Sequence, residues 1–257
     1  MAGDTILEVD NITKMFGGLA ALQDVEFSVP RGEIKAVIGP NGAGKTTLFD
    51  VLTGIQRSTS GRVFLKGIDI TRMKPHRITG LGMARTFQTI KLFEGMTALE
   101  NAMVGCHSWT KRSFISNGLL LPWALSEERR ICQHAFEVLK DVGLGTRAAE
   151  LGTNLPYGQM RMLEMARALA SKPEILLLDE PAAGLNPYET GELSSLLLKV
   201  RESGVTILIV EHDIGLVMDI SDEVVVLDYG EVIARGTPAE VQNDPKVIEA
   251  YLGIEGS

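Results

Sequence analysis

The clearest chemical signal in the sequence is the glycine-rich stretch GPNGAGKTT, at positions 39–47. It follows an apolar, strand-like run, IKAVI, and precedes the helical pattern TTLFDVL. Glycines let backbone N–H groups turn towards phosphate oxygens, and the helix behind them adds the positive end of its dipole. In this spacing the lysine reaches the outer phosphates of a nucleoside triphosphate, and the next hydroxyl ligates Mg²⁺. We therefore predict a nucleoside triphosphate site formed by Gly39, Pro40, Asn41, Gly42, Ala43, Gly44, Lys45, Thr46 and Thr47.

Acidic residues end two further apolar runs, ILLLDE at 175–180 and TILIVEHD at 206–213. Ligands of open α/β sheets collect at the carboxyl ends of the strands. Asp179 is therefore placed to hold the Mg²⁺ shell, and Glu180 to take a proton from an attacking water. Phosphoryl transfer requires mainly positioning and charge stabilisation, so a single base beside a metal suffices. His212, after the second run, is a candidate sensor of the γ-phosphate, with a purely structural histidine as the alternative.

The order of apolar and helical patterns is typical of an α/β fold. The unbroken apolar runs predict parallel strands that helices cover on both faces. ILEVDNI, VEFSV and VVVLDYGEVIA predict antiparallel strands, the last turning at Tyr229 and Gly230. Residues 89–160 have a helical and irregular pattern, in which LSEERRICQHAFEVLKDVGL (125–144) is the clearest helix. TPAE (237–240) predicts a capping box that starts a last helix.

Composition excludes several classes of protein. The 257 residues carry a net charge of −8, which argues against a nucleic-acid binder with a basic face. The longest notable uncharged stretch, SFISNGLLLPWALS (113–126), is too short for a membrane span, and the N-terminus lacks the pattern of a signal peptide. Two cysteines do not make a disulfide framework, which favours a reducing cytosol. A zinc site needs closely paired cysteines, a spacing that does not occur among Cys106, His107, Cys132 and His134.

The motifs occur in an order that resembles the ATP-binding subunits of ABC transporters. They are the stretch at 39–47, Gln88 in RTFQ, LPYGQ at 155–159, ILLLDE, AGLNP and His212. Within that family the chain is most similar to the longer of the two ATPases of branched-chain amino acid importers, because of YGQ, AAGLNPYET, the enlarged helical part and the terminal DPKVIEAYLG.

The resemblance implies a single ABC ATPase domain over residues 1–257. Its P-loop NTPase core has a parallel sheet and, with an antiparallel β lobe, comprises 1–88 and 161–257. An inserted α-helical subdomain, 89–160, carries the signature loop. The implied activity is hydrolysis of ATP with Mg²⁺.

The resemblance also implies roles for single residues. Phe16 matches the aromatic residue that stacks on adenine, with a core phenylalanine as the alternative. Thr46, Gln88 and Asp179 match the shell of Mg²⁺ and water, Glu180 the catalytic base, and His212 the switch histidine. In such ATPases two subunits meet head to tail and clamp two ATP molecules. Each nucleotide lies between the phosphate loop of one subunit and the signature loop of the other.

The signature loop departs from the family pattern LSGGQ: here it is Leu155, Pro156, Tyr157, Gly158 and Gln159. Pro156 removes a hydroxyl and a backbone N–H, and Tyr157 replaces a glycine. Gly158 keeps one close backbone approach, and a helix starting near Gln159 still directs its positive end at a γ-phosphate. Asn186 replaces an aspartate that is frequent after GL. We interpret these departures as a weakened contact of the signature loop with the nucleotide in an ATPase of otherwise unchanged mechanism. We expect a heterodimer with unequal sites, and a homodimer is the alternative.

The expected partners are membrane permease subunits, a second ABC ATPase subunit and an extracytoplasmic solute-binding protein, with no nucleic acid. The expected location is peripheral, on the cytoplasmic face of the inner membrane. Gln88 links the nucleotide site to the helical subdomain, so ATP binding can move that subdomain against a permease. Trp109 and Trp123 lie in this subdomain and indicate ordinary packing or, alternatively, a docking groove for a permease helix.

Three competing functions stay open from the sequence. The first is an ABC ATPase for other cargo, such as urea, an amide, a lipid or an exported compound. The second is a soluble ABC protein acting on ribosomes or DNA, which the single set of motifs and the lack of sustained heptads disfavour. The third is a P-loop kinase, for which no acceptor-binding residues or lid stand out.

Overall fold

The computed structural model describes residues 5–109 and 122–252, and the side chains of 122–125 and 252 lie outside this description. Within these residues the strands are β1 (Thr5–Phe16), β2 (Leu19–Pro30), β3 (Ile34–Ile38), β4 (Ser60–Leu65), β5 (Ile68–Asp69), β6 (Met83–Arg85), β7 (Ile175–Asp179), β8 (Thr206–Val210), β9 (Glu223–Asp228) and β10 (Glu231–Gly236). The helices are α1 (Lys45–Leu52), α2 (Pro75–Gly80), α3 (Ala98–Gly105), α4 (Pro122–Asp141), α5 (Tyr157–Leu169), α6 (Pro187–Glu202), α7 (Ile214–Ile220), α8 (Pro238–Gln242) and α9 (Pro245–Leu252).

A six-stranded sheet, in the order β10-β9-β3-β8-β7-β6, forms the centre of the molecule. Strands β9, β3, β8, β7 and β6 are parallel, and β10 is antiparallel to β9. Successive residues of β3 enter two different hydrophobic clusters: Ala36 joins one and Val37 the other. The sheet is therefore covered on both faces, as the unbroken apolar runs predict. The carboxyl ends of β3, β7 and β8 lie side by side, because Asp179 pairs with Val210 and Val210 with Val37.

A second sheet, in the order β2-β1-β4-β5, is antiparallel throughout. It confirms the antiparallel strands predicted near the N-terminus. The predicted hairpin is also present, with β9 and β10 joined at Tyr229 and Gly230, both of which have positive φ. The interpretation of this run as purely antiparallel is wrong for β9, which also forms a parallel ladder with β3. The outer partner of β9 is local in sequence, whereas its inner partner is distant.

The helical part packs α3, α4 and α5 around shared buried residues such as Ala102, Leu139 and Met165. The predicted helix at 125–144 corresponds to α4, which begins earlier, at Pro122. A capping box formed by Thr97 starts α3. Helix α5 runs across the predicted subdomain limit at residue 160. The predicted capping box at Thr237 is present and starts α8.

Trp109 is anchored against the end of α5. Its indole Nε1 donates a hydrogen bond to the carbonyl of Ala170 at 2.9 Å. The Lys172 ammonium lies 4.3 Å from the centre of the indole ring. The His134 ring packs edge-on against the indole, with 5.7 Å between the two ring centres. These contacts are those of a packing residue, while the side chain of Trp123 lies outside the described part of the chain. Among the described residues, no helix combines the length and the apolar character needed to cross a bilayer.

Candidate nucleotide-binding and hydrolysis site

The phosphate loop (39–47) connects the end of β3 to the start of α1. Gly39, Gly42 and Gly44 have φ values of 151°, 84° and 101°. A Cβ on Gly39 would lie 2.0 Å from the carbonyl oxygen of Leu227, and one on Gly44 would lie 2.5 Å from that of Ala21. Glycine is therefore required at both positions by close backbone approach as well as by backbone conformation.

Lys45 is buried under this loop. Its Nζ donates to the carbonyl oxygens of Gly39 at 2.6 Å and Pro40 at 2.8 Å. Burial lowers the pKa of its ammonium, and the carboxylates of Glu180 and Asp179 partly oppose that shift. The N-cap residue of α1, Gly44, has no side chain that could cap the helix, so the first N–H groups are available to an anion. Thr46, on the same turn, is exposed.

Asp179, the last residue of β7, is only 2% exposed. Its Oδ2 accepts a hydrogen bond from Arg85 Nη2 at 2.8 Å, whereas its Oδ1 is buried and has no hydrogen-bond partner among the described residues. Burial raises the pKa of this carboxyl, and Arg85 works against the rise. Arg85 also pairs with Asp50 at 2.7 Å and donates to the Thr53 hydroxyl at 3.2 Å. The unpartnered oxygen fits a cation ligand, because a buried carboxylate oxygen is costly unless it is paired.

Glu180 has different partners from Asp179. Its φ is +48°, a left-handed conformation that is uncommon outside glycine, and its N–H donates to the carbonyl of Val210 at 2.8 Å. The Gln88 side-chain amide donates to Glu180 Oε2 at 2.8 Å. His212 Nδ1 lies 3.7 Å from the same oxygen. The structure therefore brings Gln88, Glu180 and His212 together at the carboxyl edge of the sheet.

The signature loop (155–159) leads directly into α5. Pro156 is the N-cap residue and helix α5 begins at Tyr157, so the prediction that it starts near Gln159 is wrong by two positions. A proline just before the first turn is sterically compatible with the helix, because its fixed φ suits the entry of the chain. Tyr157, Gly158 and Gln159 all belong to the first turn, and the N-cap residue, Pro156, makes no side-chain hydrogen bond to their N–H groups. The helix thus offers more backbone donors than the single glycine expected from the sequence.

Comparison with known protein families decides the identity. A profile described as "ABC transporter" matches residues 22–183, and one described as "Branched-chain amino acid ATP-binding cassette transporter" matches residues 231–256. The first covers more than half of the chain and includes the phosphate loop, Gln88, the signature loop and Glu180. The chain belongs to the ABC transporter family of ATP-binding proteins.

Individual relatives agree with this assignment of the ABC ATPase. The high-affinity branched-chain amino acid transport ATP-binding protein BraF of Pseudomonas aeruginosa is 45% identical, over 96% of this chain and 98% of BraF. LivG of Escherichia coli, with the same description, is 42% identical over the same shares. A crystal structure of an ATP-binding cassette of an ABC transporter in its ADP conformation has a TM-score of 0.85 and 35% identity, over 97% of this chain and 99% of that one. These matches confirm the resemblance, the P-loop ABC ATPase fold and ATP hydrolysis as the activity class.

Two further predicted residues of the ABC ATPase have informative surroundings. Phe16 is 47% exposed at the end of β1, with the Lys14 ammonium 4.7 Å from its ring centre, so it is not a core residue. Asn186 caps α6: its side chain accepts from the N–H groups of Tyr188 and Glu189, and the Glu189 carboxylate accepts the Asn186 N–H at 3.0 Å. Asn186 therefore has a function within its own chain, which an aspartate would perform equally well.

Two buried charged residues hold the candidate site residues in place, and the sequence patterns did not indicate either of them. Arg85 precedes Gln88 by three positions but pairs with Asp179, which is distant in sequence. Glu211, fully buried beside His212, accepts from Ala182 N at 2.7 Å and His212 N at 3.0 Å. Burial raises the pKa of Glu211, while these N–H groups oppose the rise. The Glu211 carboxylate thus joins the loop that follows β7 to the loop that follows β8. In the sequence, Glu211 is marked only as the acidic residue of the motif EHD.

Proposed function

We propose that this ABC ATPase couples ATP binding and hydrolysis to the uptake of branched-chain amino acids through a membrane permease. The observation that carries the hydrolytic part is the contact of Gln88 with Glu180, beside the phosphate loop and within reach of His212. The cargo is supported by BraF and LivG, both branched-chain amino acid transport ATP-binding proteins, and by the C-terminal match at 231–256.

Nucleotide binding is assigned to the phosphate loop and to Phe16. In this proposal Lys45 exchanges its two carbonyl partners for the β- and γ-phosphates, and the half-exposed Phe16 stacks on adenine. Asp179, through its unpartnered Oδ1, Thr46 and Gln88 would hold Mg²⁺. When bound, the ion supplies positive charge that stabilises the transferring phosphoryl group.

Hydrolysis is assigned to the Glu180 carboxylate as general base. It accepts a proton from the water that attacks the γ-phosphorus, and the bond to the β-phosphate oxygen breaks, leaving ADP and inorganic phosphate. The Gln88 amide orients the carboxylate. His212, exposed at the same edge, is assigned the contact with the γ-phosphate.

The complete site is proposed to need two chains. In the described part of the chain the Tyr157 hydroxyl bonds Ala183 and Arg161, and Gly158 lies close to Glu189, whereas no hydrogen bond connects the signature loop to the phosphate loop. The free N–H groups at the start of α5 would therefore serve the nucleotide of a partner ATPase. We propose a heterodimer with unequal sites, since Pro156 and Tyr157 alter the loop. The test is to remove the catalytic base of one subunit at a time. If both variants lose turnover to a comparable extent, the two sites are equal and the proposal is wrong.

The permease is proposed to bind in the groove between the core and the helical subdomain. Phe87 and Phe93 are exposed there, with the Lys91 ammonium 5.6 Å from the first ring centre and the Arg167 guanidinium 5.6 Å from the second. Exposed aromatic rings beside cations suit a cytoplasmic helix that carries apolar side chains and a carboxylate. Phe93→Asp should abolish co-purification with the permease while ATP binding persists; retained co-purification would contradict this docking site. Such binding would place the chain at the cytoplasmic face of the inner membrane.

Uptake of labelled leucine tests the proposal as a whole. In cells lacking this chain, the wild-type protein should restore leucine uptake that depends on an external solute-binding protein, and Glu180→Gln, made in equal amount, should not. Restored uptake of urea, an amide or a lipid without leucine would show other cargo. Restoration of no uptake, with ATPase activity retained, would favour a soluble ABC ATPase.

A further inference from the structure

The side chain of Tyr157 is directed to a loop of its own chain. Its hydroxyl donates to the carbonyl oxygen of Ala183 at 3.2 Å. Its ring lies against Gly184, where an added Cβ would be 2.9 Å from Tyr157 Cε1. Ala183 and Gly184 belong to the loop that follows Glu180 directly. A signature-loop residue thus contacts the loop that leaves the catalytic base.

Arg161, one turn further along α5, connects the same tyrosine to the Gln88 loop. Its side chain is fully buried. Nη1 donates to the carbonyl of Phe87 at 3.0 Å, and Nη2 donates to the carbonyl of Gln88 at 2.9 Å and to the Tyr157 hydroxyl at 3.5 Å. The Glu164 carboxylate, 3.0 Å from Nη1, compensates its buried charge. The guanidinium is therefore held in one orientation by four hydrogen-bond partners.

These hydrogen bonds form a ring that the backbone between Glu180 and Ala183 closes. The Gln88 side chain binds Glu180, the Gln88 backbone binds Arg161, Arg161 binds Tyr157, and Tyr157 binds Ala183 in the loop after Glu180. We propose that Tyr157 and Arg161 are positioning residues that tie the signature loop to the two loops carrying Gln88 and Glu180 in the same chain. This inference rests on the proposed role of Glu180 as the base.

These hydrogen bonds give Tyr157 a positioning role that a glycine at this position, which has no side chain, cannot have. A displacement of Gln88 moves its carbonyl, and with it the guanidinium that also holds Tyr157. The start of α5, which in the proposed two-chain site faces the nucleotide of the partner, then responds to the contacts of the base in its own chain. Because Tyr157 contacts no phosphate-loop residue among the described residues, loss of its hydroxyl should affect turnover and leave nucleotide binding unchanged.

Tyr157→Phe is the direct test, because it removes one hydroxyl and keeps the ring. In the ATPase assembled with its native partners, kcat should fall about threefold to tenfold, as expected for the loss of the hydrogen bond to Ala183 and of the long, weak one from Arg161, while KM for ATP stays the same. Tyr188→Phe is the matched control, since the Tyr188 side chain is exposed, and it should match the wild type. An unchanged kcat, or a raised KM with normal kcat, would overturn the proposal; the second result would indicate direct contact with the partner's nucleotide.

A double-mutant cycle with Gln88→Ala checks that the two residues act through one network. If the two residues act together, the fold-decrease in kcat of the double variant should be at least about twofold smaller than the product of the fold-decreases of the two single variants. If the fold-decreases in kcat of the two single variants simply multiply in the double variant, the proposed coupling of Tyr157 to Gln88 is wrong. Glu180→Gln, measured in parallel, separates the two hypotheses: if it keeps its turnover, the proposed base is wrong, whatever the tyrosine variant does.

Discussion

Arg85 offers the sharpest prediction about the metal edge of the site. The Arg85 side chain is 6% exposed, and its guanidinium pairs with the carboxylates of Asp179 and Asp50, whose side chains are 3% and 27% exposed. Removing one partner of a buried pair leaves an uncompensated charge and costs about 3–5 kcal/mol. The half-solvated pair with Asp50 adds at most about 1 kcal/mol. Arg85→Met keeps an apolar stem between the rings of Phe49 and Phe87, and should lower the free energy of unfolding by about 3–5 kcal/mol.

The sign of the pH dependence follows from Asp179. Burial already raises the pKa of its carboxyl although Arg85 lowers it, so loss of Arg85 raises that pKa further. The folded variant then binds the proton more tightly than the unfolded chain does. Its stability, relative to the wild type, should therefore be least impaired at acidic pH and fall as the pH rises towards neutrality.

Urea unfolding at a series of pH values, without nucleotide, is the assay. Arg62→Met is the matched control, because Arg62 also pairs with an aspartate, Asp10, and stacks on a ring, but is 63% exposed; it should cost at most about 1 kcal/mol. Adding Asp179→Asn to Arg85→Met removes the uncompensated charge and should recover at least half of the loss. A loss below about 1 kcal/mol for Arg85→Met, or a double variant no more stable than the single one, would refute the reasoning.

Two further predictions concern the nucleotide. Lys45→Ala should weaken ATP binding, measured by calorimetry, by at least about tenfold, because a charge-assisted contact is worth about 1.5–3 kcal/mol; unchanged affinity would mean that the phosphates bind elsewhere. Since burial raises the pKa of Asp179, Mg²⁺-dependent ATP binding should weaken by up to about tenfold for each pH unit below that pKa. Asp179→Asn should not show this loss of Mg²⁺-dependent ATP binding at low pH. An identical pH profile in the wild type and in Asp179→Asn would contradict the assignment of Asp179.

The sequence predicted those parts of the site that depend on local pattern. The phosphate loop is continuous in sequence, its glycines are needed where strand β3 turns into α1, and the unbroken apolar runs identified the buried strands. The carboxyl ends of those strands then place Asp179, Glu180 and His212 at one edge. Each of these inferences needs only neighbouring residues and the rules of parallel sheets.

The residues that hold these groups in place could not be predicted in this way. Arg85 pairs with Asp179, Glu211 binds Ala182, and Arg161 binds the Gln88 backbone, each across a long stretch of sequence. A buried charge gives no periodic signal, because its compensating partner is brought close only by the fold. The start of α5 was misplaced for a related reason: Tyr157 was interpreted as a replaced loop residue, although it opens the helix.

ATP is proposed to join this chain and a second ABC ATPase chain into one unit, with each nucleotide between the phosphate loop of one chain and the signature loop of the other. Light scattering on the Glu180→Gln protein, alone and with its native companion ATPase, tests it most directly, because slowed hydrolysis retains the closed form. We predict a two-chain particle with two bound ATP molecules that separates on exchange into ADP and does not form with Lys45→Ala. A single-chain mass at every ATP concentration, with and without the companion, would contradict the account.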